Sequence, residues 1–159
     1  MEEIFPGLTR EWLFNERVVF YTLYSPQKAA LLAWSESVLT TLERWPCEKP
    51  YLAIHDISQS GIGLFYCAAV KNDIFNIGVI PEARQRVDEI LTNDPEWHLS
   101  LALVVSGSLS GQLSKLLFNE SSKKQQFHSK AFFFSDMAQN WLVNSTPSST
   151  VSRVNAISA

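Results

Sequence analysis

Residues 55 to 63 read His55-Asp56-Ile57-Ser58-Gln59-Ser60-Gly61-Ile62-Gly63, which brings an imidazole, a carboxylate and two hydroxyls into one short stretch. These are the parts of acid–base or nucleophilic chemistry, and a hydrolase or transferase built from them would need base and nucleophile within about 3 Å. Asp56 has a simpler use, which is to accept hydrogen bonds from the turn that follows it. Gly107-Ser108-Leu109-Ser110-Gly111 has the outer glycines of a nucleophile elbow, but Leu109 stands where the elbow needs its serine. It also lacks the lysine of a P-loop and the third glycine of a dinucleotide fingerprint, so it reads as a polar turn capping a helix. His55, His98 and His128 form no HxH or HExxH pair, and Cys47 and Cys67 no CxxC or Cys/His spacing. The sequence therefore offers no metal motif, implies no cofactor and supplies no legible catalytic set, and the expectation is a protein that is not an enzyme.

The elements around these residues follow from periodicity. Residues 12 to 24 are rich in aromatic and β-branched side chains and break at Asn15-Glu16, which predicts a hairpin or a strand with a tight turn. Ser25-Pro26 supplies an N-cap and a first-turn proline for a helix carrying Leu31, Trp34, Val38, Leu42 and Trp45 up to Pro46. Residues 51 to 57 are short and largely apolar, as in a buried central strand, and His55-Asp56 falls at its carboxyl end, where open α/β sheets place ligands. Residues 60 to 80 leave two readings open, a helix through Val70 or an apolar loop. Pro81 starts a helix with Ala83, Val87, Ile90 and Leu91 on one face, and residues 99 to 105 form a second buried strand. An amphipathic segment with Leu109, Leu113, Leu116 and Leu117 follows, then a short strand at Ala131 to Phe134. A closing helix opens at Ser135-Asp136 and carries Trp141 and Leu142.

The expected fold class is thus α/β, a single mixed sheet of four to five strands with about four helices. One domain spans residues 1 to 143, and residues 144 to 159 form a flexible tail rich in Ser, Thr and Asn. The 159 residues, 46% hydrophobic and 18% charged, suffice for a core without disulfides or metal. A net charge of −3 and scattered basic residues argue against nucleic acid. Lys123-Lys124 with His128 and Lys130 reads as a solvated loop. The acidic Met1-Glu2-Glu3 start lacks the basic region of a signal peptide, and no apolar run reaches about 18 residues, so a reduced, cytoplasmic protein without a transmembrane segment is expected. Trp12, Trp34, Trp45, Trp97 and Trp141 are expected mainly in the core, with an exposed subset available to line a pocket.

The element order, together with the run from Asp56 to Gly63, resembles the STAS fold of sulfate transporters and anti-sigma factor antagonists, over roughly residues 12 to 143. That family often shows a strand ending Asp-Leu-Ser and then Asp-Ser-Ser-Gly-Leu-Gly at the next helix. Here Ser58 stands where the family has its second Asp, and the loop is shorter. The resemblance implies a regulatory or protein-interaction domain whose partner is an anti-sigma-like kinase or another regulator. It also implies that Ser60 is the phosphoacceptor, with Asp56, Ser58, Gln59 and Gly61 completing the contact turn. Residues 132 to 142 are similar to the last strand and helix of SpoIIAA-like relatives. That similarity implies an alternative, a small apolar-ligand or lipid-binding module, which the aromatic content and the apolar run 62 to 70 also favour. Peripheral membrane contact and a homodimer are left open.

Overall fold

A computed structural model describes residues 1–59, 61–62, 82–108, 111–112 and 126–145. Six strands form one sheet in sequential order: β1 (Glu2–Phe5), β2 (Leu8–Leu13), β3 (Val18–Leu23), β4 (Tyr51–Asp56), β5 (Leu99–Val104) and β6 (Phe127–Phe132). The first three are antiparallel neighbours, and β3 to β6 run parallel. Parallel neighbours need crossovers, and the described helices that serve or follow them are α1 (Lys28–Arg44), α2 (Ala83–Asn93) and α3 (Ser135–Ser145).

Successive strand residues face opposite sides, so β4 and β5 feed two cores at once. Tyr51, Ala53, Ile57, Leu99, Leu101 and Leu103 join Leu31, Trp34, Val38 and Leu42 of α1 and Ala83, Val87 and Leu91 of α2. Leu52, Ile54, Ala102 and Val104 join Ala138 and Leu142 of α3 on the other face. Burial on both faces is why these two strands read as continuous apolar runs. Each fully buried Leu or Ile here contributes about 1.5–3 kcal/mol.

The mixed α/β sheet agrees with expectation, but it has six strands rather than four to five, and three helices occur among the described residues. The extra strands come from the amino end. Pro6-Gly7 makes a turn that pairs Phe5 with Leu8, and Gly7 takes φ +87°, the conformation a type II turn demands at its third position. Charged, short β1 at the sheet edge gave no apolar alternation to read. β6 lies at residues 127 to 132 rather than 131 to 134, because an edge strand turns His128 and Lys130 outward and so resembles a polar loop. Phe134 is 64% exposed at the entry to α3. α1 starts at Lys28 after Gln27, two residues later than Ser25-Pro26 suggested, and the Ser25 hydroxyl instead accepts the Gln27 N–H at 3.2 Å. α3 continues to Ser145, two residues past the expected domain end. The two readings of residues 60 to 80, the Leu113–Leu117 segment, Lys123-Lys124, Cys67 and the tail beyond 145 lie largely or wholly outside the described residues.

Candidate functional site

The carboxyl end of β4 carries the turn singled out in the sequence. Ile57 continues the ladder by donating its N–H to the Val104 carbonyl at 2.9 Å, and the chain then leaves the sheet. Asp56 Oδ1 accepts the Ser58 N–H at 2.9 Å, the local bond expected of an aspartate opening a turn. The Gln59 carbonyl accepts the Ile62 N–H at 3.2 Å, while Gly61 sits exposed at φ +81°. Asp56 and Ser58 are half-buried and Gln59 is exposed, and Ser60 lies outside the described residues. Two backbone N–H groups of this turn are thus satisfied locally, and Gln59 and Gly61 are its exposed residues among those described.

His55 does not join them. As the preceding strand residue it faces the opposite side, beneath α1, where its ring meets Trp34 at 5.0 Å and Tyr21 at 5.5 Å edge to face. It is 2% exposed, and both ring nitrogens lack a hydrogen-bond partner. Burial drives its pKa from 6.5 down to about 3, so the ring is neutral near pH 7. The acid–base set of His55, Asp56 and a nearby serine is therefore not assembled. The next turn along the same sheet edge behaves as a cap: the Ser108 hydroxyl accepts the Gly111 N–H at 3.3 Å, and the Ser106 and Ser108 hydroxyls bond at 2.6 Å. No group of three or more metal-ligating side chains occurs among the described residues, and none of their helices is long and apolar enough to cross a membrane.

A cleft at the opposite, amino end of the parallel strands escaped the sequence reading. Its volume is about 720 Å³, within the roughly 300–1,000 Å³ typical of small-molecule sites. The β2–β3 turn, the last turn of α1 and the Pro46–Pro50 turn form its walls. Arg10, Arg17, Arg44 and Lys49 line it, against Glu16 and Glu48. Trp12, 38% exposed, stacks on Trp45 with ring centroids 5.9 Å apart, and the Arg10 guanidinium lies 5.6 Å from the Trp12 ring.

The cleft is held from three directions. Arg10 is anchored by Glu2 on β1 and reaches Thr41 on α1 at 3.4 Å, and Thr41 shares a 2.8 Å bond with Tyr21 of β3. The Lys49 carbonyl accepts the Trp97 indole N–H at 2.7 Å, and Lys49 N–H closes a turn onto the Pro46 carbonyl at 3.0 Å. Phe14, Asn15 and Glu16 take φ values of 53°, 55° and 62° in succession, a left-handed turn closed by the Arg17 N–H on the Leu13 carbonyl at 3.1 Å. Residues other than glycine pay roughly 1–2 kcal/mol each in this region. Of the five tryptophans, Trp34, Trp45 and Trp97 are buried as expected, and Trp141 is half-buried. The lining comes from segments that only folding brings together, so spacing in the chain gave no sign of it.

Comparison with protein-family models, with curated proteins and with solved structures finds no match for this chain.

Proposed function

We propose that this chain is a non-catalytic regulatory or protein-interaction domain of the STAS/SpoIIAA-like kind, with the turn from Asp56 to Gly61 as its partner contact. One observation carries the reading: at the carboxyl end of central strand β4, the Asp56 carboxylate and the Gln59 carbonyl brace the turn by accepting the Ser58 and Ile62 N–H groups, and Gln59 and Gly61 are exposed. A surface held in one shape before binding loses little conformational entropy on docking. The withdrawal of His55 into the core supports the same reading, since it removes the histidine next to this turn in the chain from acting there as a base. The element order of the described residues is compatible with the family resemblance, which makes the expected partner an anti-sigma-like kinase or another regulator.

The test is quantitative affinity capture from the native lysate, with wild type and Gln59→Arg compared side by side. A partner retained by wild type and lost with Gln59→Arg is the expected result; equal capture, or none by wild type, overturns the assignment of the turn. Intact-mass analysis of wild type and Ser60→Ala after incubation with lysate and ATP decides the phosphoswitch. Equal phosphate uptake by the two removes Ser60 from the reading. For the alternative, an apolar-ligand or lipid module, the cleft at the amino end is the relevant feature, but its charged lining favours an anionic occupant over an apolar one.

A further inference from the structure

We infer that the cleft between the β2–β3 turn, the end of α1 and the Pro46–Pro50 turn is a binding site for a small organic anion carrying a flat ring. The inference does not rest on the reading of the Asp56 turn, which lies at the other end of the sheet.

Charge is the first support. In a protein of net charge −3, the four cations of the cleft outnumber its two carboxylates by two. The cleft also meets the carboxyl end of α1, whose dipole contributes only about half a negative charge. Arg44 stands in that last turn and offsets it. Arg17, Arg44 and Lys49 make no ion pair among the described residues, whereas Arg10 is held by Glu2 and Thr41 as a fixed wall. Guanidinium groups without carboxylate partners match phosphate and carboxylate oxygens in charge and geometry.

Shape is the second. Trp12 offers the exposed part of its ring, with Trp45 stacked on it and the Arg10 guanidinium over it, so a flat ring entering the cleft meets an aromatic surface with a cation beside it. The third is two unexplained costs at the same place. The left-handed run Phe14-Asn15-Glu16 fixes one rim without a glycine, and strain of this kind concentrates at ligand clamps. The Trp45 indole N–H, in a side chain 9% exposed, is buried in the wall without an acceptor. Such an orphaned donor destabilises the fold, a cost that an anion's oxygen would recover after a small shift of the ring.

The experiment is an amide and indole N–H titration by NMR of the full chain with phenyl phosphate, benzoate and neutral benzyl alcohol. Saturable shifts of the Trp12 and Trp45 indole signals with either anion, with Trp34 and Trp141 unmoved and benzyl alcohol silent, are expected. Saturation by phenyl phosphate alone assigns a phosphate ligand, and by benzoate alone a carboxylate. Arg17→Glu with Lys49→Glu, both at exposed positions, keeps the thermal midpoint and weakens the anion about tenfold or more. Trp12→Leu weakens the anion while leaving the charges in place. No saturable shift with either anion, equal shifts with benzyl alcohol, or undiminished affinity in the charge-reversed variant would overturn the assignment.

Discussion

His55 shows how a single residue can look functional in sequence and be structural in the fold. Its neighbours in the chain are a carboxylate and hydroxyls, yet its neighbours in space are Trp34 and Tyr21, because adjacent strand residues face opposite sides. Its folded pKa of about 3 lies below the unfolded value near 6.5, so the unfolded chain takes up the proton first as pH falls. Stability is full above about pH 6.5 and declines toward pH 3, by a total on the order of 5 kcal/mol. In His55→Leu this part of the decline is absent, and the variant is at least as stable as wild type at pH 8, since two unpartnered polar atoms leave the core. Urea unfolding midpoints of both proteins across pH 4 to 8 decide the point: parallel curves would show that the ring is not held neutral. Gly7 is the opposite case, a residue whose role is sterically fixed. A Cβ there would lie 2.4 Å from Ser25 Cβ at a φ of +87°. Gly7→Ala is expected to lower stability by about 2 kcal/mol or more, measurable by thermal unfolding.

At the scale of elements, α1 and α2 share one face of the sheet and are tied together outside the core by Arg86. Its guanidinium bonds Glu43 at 2.7 Å and Glu36 at 2.9 Å, two α1 residues seven positions apart and hence on one helix face. The hydrogen bonds from Arg86 hold the Glu36 carboxyl below its ordinary range. With a lowered folded pKa, the contribution is present above about pH 4.5 and is lost as pH falls through the folded value. Because both carboxylates are substantially exposed, Arg86→Ala should cost only about 1 kcal/mol and less in high salt. Double-mutant cycles with Glu36→Ala at low and high ionic strength measure it; a salt-independent loss would mean that the arginine acts by packing. The helices were the most legible elements, since Leu31, Trp34, Val38 and Leu42, like Ala83, Val87 and Leu91, repeat at helical spacing and all are buried. Their ends were less so: Ser25 has the chemistry of a cap, but its hydroxyl accepts the Gln27 N–H ahead of the helix instead. β6 was displaced because Ser129 and Lys130 interrupt its apolar positions, and only pairing with β5 shows that they belong to a strand.

For the molecule as a whole, two cores share one sheet, and the smaller is closed by a single described helix, α3. Ending the chain after Phe134 would uncover Leu52, Ile54, Val104 and Phe132, so that form is expected to aggregate or bind hydrophobic dyes. Ending it after Ser145 is expected to leave the unfolding midpoint unchanged, because residues 146 to 159 carry little apolar surface. Calorimetry on the two forms tests this, and a marked loss in the longer one would show that the last residues contribute to the fold. What the amino-acid sequence determined by itself is the class of fold: short continuous apolar runs alternating with segments whose apolar residues recur near every fourth position are buried together by helices packed on a sheet. It also placed the turn after β4, because Asp, Ser and Gly act on their own backbone over a few residues. Tertiary structure alone decided that His55 is sealed away from that turn. It alone decided that Arg10, Trp12, Arg17, Arg44, Trp45 and Lys49 surround one cleft, since they lie on three segments whose proximity depends on how the antiparallel hairpin, α1 and β4 pack.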